Sequence, residues 1–224
     1  MDTASHAPAD TRMMGIVHRA LGRDLARARV ALTSTPSPAD AQRKALGNHL
    51  QWMMRFLHHH HASEDVGLYP MIRERNDSVS ELLDVMEVEH QAIGPGLTAI
   101  RETAALYGSS SDATSGLQVM ESIDLLEAAL IPHLQHEEQD LMPIVGSTLT
   151  NAEWLAWDQQ YNIKPKSVSQ LGFTAHWLID DVSKDDRNVV LSLMPVVPRF
   201  VLMHGFAGPY RRHATRCWGA QAQN

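Results

Sequence analysis

The sequence of 224 residues predicts an all-α protein, and three observations support this fold class. Apolar residues recur every three or four positions in the long segments, as on one face of a helix. Two segments open on the S/T-x-x-E pattern of a helix capping box, and loops containing Ser, Gly or Pro separate the segments. Strand-type alternation bounded by turn residues is missing throughout.

Two amphipathic helices are predicted first. One covers about residues 11–32 and is followed by the loop sequence TSTPSP. The last proline of this loop suits the first turn of a second helix, which Ser37 would cap. The second helix is predicted to run to about Arg75, with a break or kink at Pro70, because proline lacks the N–H that a helix interior needs.

The next two helices are separated by the loop GSSSDATSG. Ser78 and Glu81 have capping-box spacing, so the third helix is predicted to begin there and to end near Tyr107. The fourth helix is predicted over about residues 117–145. Pro132 lies inside it and predicts a kink, which either aims the following histidine or serves packing alone.

The chain is predicted to divide into a first domain, residues 1–146, and a helical extension, residues 147–224. A capping box at Thr150 and Glu153 starts the extension, and prolines interrupt its later helices. The extension holds four of the five tryptophans, so we expect it to pack on the first domain.

The composition narrows the possible partners and locations. The 19 Lys and Arg residues against 26 Asp and Glu residues, a net charge of −7, argue against a nucleic-acid partner. Cys217 is the one cysteine and the first residues lack signal-peptide features, so a cytoplasmic location is expected. No apolar run reaches the roughly 18 residues that span a bilayer, so no membrane partner is expected.

A basic cluster near the end is predicted to be a solvated helix face rather than an anion site: Arg199, Arg211, Arg212, His213 and Arg216.

An internal duplication organises several of the thirteen histidines. The segment HRALGRDL from His18 matches HQAIGPGL from His90, 72 positions later. The segment HHASEDVGLYPMI from His60 matches HLQHEEQDLMPIV from His133, 73 positions later. Each half thus contributes one single histidine and one H-x-x-x-E motif. The six candidate metal ligands are His18, His60, Glu64, His90, His133 and Glu137.

The H-x-x-x-E spacing places an imidazole and a carboxylate on the same face of a helix, one turn apart. Folding the two halves about a pseudo-twofold axis would bring four histidines and two glutamates to one place. Two metal ions about 3.5–4 Å apart can share such a site, with carboxylates able to bridge them. The set contains no thiolate, which suits iron and also manganese or zinc.

This pattern resembles the hemerythrin-like (HHE cation-binding) family over about residues 12–146, and the L-x-P sequences after each motif glutamate are similar as well. The resemblance implies an antiparallel, up-down four-helix bundle of the hemerythrin type, with extra C-terminal helices as in some actinobacterial members. It implies a centre of two iron ions joined by an oxo or hydroxo bridge. It further implies a peroxide or diatomic ligand, namely hydrogen peroxide, O2 or nitric oxide, and a reductase or other electron donor as a partner.

The chain departs from the oxygen-carrying members in two ways. Those proteins have a fifth histidine one turn before the histidine of the third helix, where this chain has Met86, and an aspartate where it has Glu137. A missing nitrogen ligand favours oxidative or nitrosative stress sensing, or catalase- or peroxidase-like scavenging, over stable O2 storage. Reversible O2 or nitric oxide binding and iron sensing remain alternatives. Tyr69, His176 and His204 are candidate additional ligands.

The remaining histidines near the motifs are predicted to lie outside the ligand set. His58, His59 and His61 are expected to be solvated or to stand behind the ligands. His49 and His136 have no counterpart in the other half of the duplication.

Other site classes fit the sequence less well. A ferritin-like centre needs two E-x-x-H motifs, and Glu87 with His90 provides one. The zinc-protease motif H-E-x-x-H fails because its last position is Asp140. No G-x-S-x-G sequence is present and Cys217 has no assignable base, so a hydrolase is disfavoured.

Overall fold

A computed structural model describes residues 7–110, 112 and 114–219. Within these residues the chain is mostly helical and forms no β-strand, apart from an isolated antiparallel bridge between Pro8 and Thr150. The prediction of an all-α fold is confirmed. In the same residues no helix is both long enough and apolar enough to cross a membrane.

The helices are numbered in chain order. They are α1 (Arg12–Leu32), α2 (Asp40–Ser63), α3 (Tyr69–Arg75), α4 (Ser80–Ser109), α5 (Ser115–His136), α6 (Met142–Thr148), α7 (Asn151–Asp158), α8 (Val168–Leu178), α9 (Lys184–Ser192), α10 (Val196–Gly205) and α11 (Ala207–Trp218). Wider π-helical turns lie at Glu64–Leu68, Glu137–Leu141 and Gln159–Ile163, and a 3-10 turn lies at Asp77–Val79.

The second predicted helix follows a continuous helical path, but its irregularity precedes Pro70. Helix α2 passes through the π-helical turn Glu64–Leu68 into α3, and the Tyr69 N–H bonds the Glu64 carbonyl five residues back. Pro70 therefore stands in the first turn of α3, where its missing N–H costs little. The same succession of α-helix, π-helical turn and α-helix recurs in the second half of the duplication, where a π-helical turn separates α5 from α6.

Of the helix caps predicted at Thr150, Ser78 and Ser37, the first is confirmed and the other two are wrong. Thr150 and Glu153 form the predicted reciprocal capping box at α7, and the Glu153 carboxylate accepts from the Thr150 N–H at 2.9 Å. Ser78 does not cap α4, because it lies within the 3-10 turn and its hydroxyl donates to Asn76 Oδ1 at 2.6 Å. Ser37 does not cap α2 either, because that helix begins three residues later.

Two clusters of buried apolar side chains run along α1, α2, α4, α5 and the turns and helices that follow them. On α1, Met14 belongs to the smaller cluster and Leu21 to the larger, and His18 stands between them in the sequence. On α2 and the turn that follows, the order is reversed, with Leu57 in the larger cluster and Leu68 in the smaller. The candidate ligands thus occupy the level at which one apolar cluster gives way to the other.

The helices after residue 146 pack against the earlier ones. Helices α8, α9 and α11 contact α1, and α11 also contacts α2. Trp157 Nε1 donates to the Ser63 carbonyl at 3.0 Å, and Trp177 Nε1 donates to Asp24 Oδ2 at 2.8 Å. All four tryptophans of this segment are buried. The division into two domains at residue 146 stays a prediction.

A close contact between α4 and α5 provides a test of this packing. A Cβ added at Gly96 would lie 2.6 Å from the Leu126 Cα, a backbone atom, so the helices would have to separate. We expect Gly96→Ala to lower the free energy of unfolding by about 1–3 kcal/mol, measured by chemical denaturation. At Gly22 on α1 an added Cβ meets nothing within 4 Å. The control Gly22→Ala should therefore raise that free energy by about 0.5–1 kcal/mol; the same sign for both variants would contradict the close approach.

Candidate metal centre

The six residues predicted as metal ligands are all buried, and the structure brings them together. The Nε2 atoms of His18 and His60 are 3.5 Å apart, and those of His90 and His133 are 3.1 Å apart. Glu64 lies between these two pairs. Its Oε1 is 3.2 Å from His60 Nε2 and its Oε2 is 3.7 Å from His90 Nε2. One carboxylate thus spans from one pair of imidazoles to the other.

The two central carboxylates are buried without hydrogen-bond partners. Glu137 Oε2 approaches His18 Nε2 to 3.3 Å, but the geometry is not that of a hydrogen bond. All four carboxylate oxygens of Glu64 and Glu137 lack a hydrogen-bond partner. A buried polar atom left in this way costs about 1–3 kcal/mol. Four such oxygens among imidazole nitrogens fit bound cations, which would satisfy them together.

In three of the four motif histidines, the N–H of the outer ring nitrogen donates a hydrogen bond to a carboxylate. The pairs are His18 Nδ1 with Glu138 at 2.7 Å, His90 Nδ1 with Asp65 at 2.7 Å and His133 Nδ1 with Glu89 at 3.0 Å. Because a carboxylate can only accept, a ring proton lies on Nδ1, and Nε2 of each ring, once neutral, would present its lone pair to a metal ion at the centre. These carboxylates were not predicted, although Asp65 and Glu138 stand 73 positions apart and so belong to the duplication.

The charges at this centre favour a cation. Burial, together with repulsion from Glu137, raises the pKa of Glu64 well above its usual range. Burial lowers the pKa of His60 to about 3, and repulsion from His18 adds to this effect. Burial also opposes protonation of His18, but Glu137 and Glu138 outweigh it and raise the pKa to about 9. Positive charge between the carboxylates is therefore favourable.

His61 is not solvated, which rules out the first of the two positions expected for it and leaves the position beside the ligands. Its side chain is buried, and its ring stacks on that of His90 with centroids 4.1 Å apart. One ring nitrogen each from His61, His90 and His133 lie within 4.8 Å of one another. The internal duplication did not identify His61 as a candidate ligand, because the matching position in the second half is Leu134. Helical spacing could have found it, because His61 stands four residues after buried Leu57.

Of the candidate additional ligands, Tyr69 lies at the centre. Its buried hydroxyl is 3.4 Å from His90 Nε2. The structure does not bring His176 or His204 into the cluster, and a ring nitrogen of each contacts a backbone carbonyl of α10, at 3.2 Å and 2.9 Å. His58 is exposed, in agreement with its prediction.

A cavity of about 600 Å³ borders one side of the centre. Among the candidate ligands, His60 lines this cavity. Most of the other lining side chains are apolar and come from α1, α2 and the helices after residue 146, among them Met13, Val17, Phe56, Leu178 and Leu202. Small uncharged molecules could therefore approach the centre from the His60 side.

Comparison with known proteins agrees with this geometry. The family model described as the hemerythrin HHE cation binding domain matches residues 10–145, which is more than half of the chain. No curated protein and no solved structure matches the chain. The matched residues include all six predicted ligands and His61. The chain belongs to the hemerythrin HHE cation-binding domain family.

Proposed function

We propose that the buried cluster is a di-iron centre. The observation that supports it best is the position of Glu64, whose two oxygens face His60 on one side and His90 on the other. Imidazole and carboxylate without thiolate suit iron. The proposed ligands are His18 and His60 for one iron, His61, His90 and His133 for the other, and Glu64 and Glu137 for both.

We also infer that α1, α2, α4 and α5 form an antiparallel, up-down four-helix bundle around this centre. The two apolar clusters support the arrangement, since their order along α1 is the reverse of their order along α2. The order reverses again from α4 to α5, where Met86 precedes His90 in the smaller cluster and Leu130 precedes His133 in the larger one. Di-iron sites in helical bundles are built from inward-facing side chains in this way.

The function that we propose is binding of, and reaction with, hydrogen peroxide, O2 or nitric oxide, in scavenging or sensing oxidative and nitrosative stress. Bound iron would supply Lewis-acid and redox chemistry. Two features favour this reading. The His18 and His60 side has one imidazole fewer than the other side, and His60 lines the largely apolar cavity. Such a cavity suits small uncharged molecules, and the proposed ligands share this property.

The surrounding residues would hold the imidazoles in place. Asp65, Glu89 and Glu138 accept the Nδ1 protons of three candidate ligands and thereby keep each Nε2 turned inward. Wall residues such as Phe56 would limit the entry of water from the cavity side. Peroxidase-like turnover would also require an electron donor, which we propose as a partner, whereas in catalase-like turnover a second peroxide molecule is the reductant.

Mixing the iron-loaded chain with hydrogen peroxide tests the proposed reaction. We expect peroxide to be consumed over many turnovers, with O2 evolved if the activity is catalase-like, measured with an oxygen electrode and by peroxide absorbance. The metal-free chain is the control and should be inactive. Consumption of about one peroxide per centre or less, with no further turnover even when a small-molecule reductant such as ascorbate is supplied, would contradict scavenging.

A second candidate function is reversible binding of O2 or nitric oxide without turnover. His61 favours it, because this residue brings the number of clustered imidazoles to five although Met86 occupies the family position of the fifth histidine. Exposing the reduced, iron-loaded chain to O2 or nitric oxide tests this alternative, which predicts a stable spectral change that reverses when the gas is removed, and no turnover of peroxide in the experiment above.

A further inference from the structure

A second group of metal-binding side chains lies at α11, away from the candidate iron centre. His49 Nδ1 is 3.0 Å from His213 Nε2, which in turn is 3.5 Å from Cys217 Sγ. The three atoms lie within 4.8 Å of one another. His213 and Cys217 are one turn apart on α11. His49 belongs to α2, eleven residues before His60 and therefore roughly 16 Å along the helix from it.

The orientation of His49 is set by a buried carboxylate. Asp24 Oδ2 is 2.8 Å from His49 Nε2 and also accepts from Trp177 Nε1 at 2.8 Å. The Arg23 Nε–H also donates to this carboxylate, at 2.8 Å, so Asp24 acts as an acceptor and the proton between it and His49 lies on Nε2. Nδ1 then presents its lone pair to His213 and Cys217, as in metal-ligating histidines backed by a carboxylate.

Two of the three spacings among these atoms are close to those around a tetrahedral ion. Zinc binds imidazole nitrogen at about 2.0–2.1 Å and thiolate sulfur at about 2.3 Å, so tetrahedral ligand atoms stand about 3.3 Å apart for two nitrogens and about 3.6 Å for nitrogen and sulfur. The observed 3.0 Å and 3.5 Å are close to these values. Aromatic rings enclose the group, with Trp52 and Trp218 against His49 and Phe173 against His213.

We propose that His49, His213 and Cys217 bind one zinc ion, with the fourth position left to water. Two neutral imidazoles and one thiolate form a donor set that zinc accepts. The cysteine proton leaves to solvent as the thiolate binds, and no oxidation is involved. The ion would fasten α11 to α2 and so hold the C-terminal helices against α1 and α2. This site is independent of the proposed iron centre.

Cobalt titration of the full chain tests the site without any substitution. A cobalt–thiolate pair gives a near-ultraviolet charge-transfer band, and Cys217 is the one cysteine in the sequence. The candidate iron centre contains no sulfur, so the band reports this site alone. We expect it to saturate at one cobalt per chain and to disappear when zinc is added. No band with cobalt in excess, or displacement by copper(I) but not by zinc, would overturn the proposal.

Two variants test the ligands directly. Cys217→Ser and His213→Ala are each expected to weaken zinc binding by about tenfold or more and to abolish the cobalt band. His204→Ala is the matched control, because His204 lies on neighbouring α10 outside both clusters and should leave zinc binding unchanged. Iron content is measured in the same samples, so that the two sites are judged separately. Undiminished zinc in both variants would refute the site.

Discussion

Glu64→Gln is expected to prevent stable loading of both iron ions. The substitution keeps the size of the side chain but removes the charged oxygens that face His60 and His90. Because Glu64 is proposed as a ligand of both irons, neither iron should be retained. Mutating a residue that only hydrogen-bonds to a metal ligand lowers metal affinity by up to about a hundredfold, so we expect loss of a shared ligand to lower iron affinity by about a hundredfold or more. Metal analysis after dialysis against a weak chelator measures it.

The same substitution should stabilise the metal-free chain, which distinguishes loss of a ligand from loss of the fold. Burial, together with repulsion from Glu137, raises the pKa of Glu64, so this carboxyl opposes folding by about 1.4 kcal/mol for each pH unit between its ordinary pKa and the working pH, up to the raised value. In the wild type this contribution is absent below the ordinary carboxyl pKa and grows as pH rises towards the raised value. The glutamine variant should lack that loss of stability.

A matched control for Glu64→Gln is Glu87→Gln, which removes a surface glutamate paired with Arg73 at 3.0 Å. We expect unchanged iron content and a change in stability within about 0.5 kcal/mol. Two irons per chain in Glu64→Gln would exclude Glu64 as a shared ligand. Loss of iron together with a lower unfolding free energy would instead indicate damage to the bundle.

His61→Leu is expected to weaken one iron and to spare the other. Leucine is the residue that the second half of the duplication has at this position, as Leu134, so its volume suits the helix interior. Iron bound by His90 and His133 would lose its third imidazole, and we expect its affinity to fall by about tenfold or more. Iron content at limiting metal should fall from two per chain towards one.

The metal-free His61→Leu chain should be more stable than the metal-free wild type. His61 Nε2 is buried without a hydrogen-bond partner, and removing such a group is worth about 1–3 kcal/mol. The control is His58→Ala, which changes an exposed neighbour and should alter neither iron content nor stability. Two tightly held irons in His61→Leu would show that His61 stacks on His90 without binding metal.

The two sides of the candidate centre differ in their number of imidazoles, and this difference indicates where a small ligand would bind. The halves exchange supporting carboxylates, since Asp65 of the first bonds His90 of the second, and Glu138 of the second bonds His18 of the first. His61 breaks this symmetry by adding an imidazole on one side. The side of His60 is left with fewer donors and borders the cavity. A small ligand would therefore react at one iron rather than at both.

Features that depend on residues close together in the chain could be predicted from the amino-acid sequence. Helical periodicity predicted the all-α fold, and the spacing of Thr150 and Glu153 predicted the capping box that starts α7. The duplication also selected the six residues that the structure brings together, because residues four apart on a helix share a face whatever the helix later packs against. The break at Pro70 was misplaced for a related reason, since a π-helical turn distributes the distortion over the preceding residues.

Contacts between side chains of different helices could not be predicted from the sequence. The inward orientation of His61 depends on how α2 is rotated against α4 and α5, and no repeat marks it. The carboxylates behind the candidate ligands lie 25 to 120 positions from their histidines. His49 meets His213 and Cys217 because α11 packs along α2. Such contacts depend on how whole helices pack to bury their apolar faces. The spacing of residues along a single helix does not predict this packing.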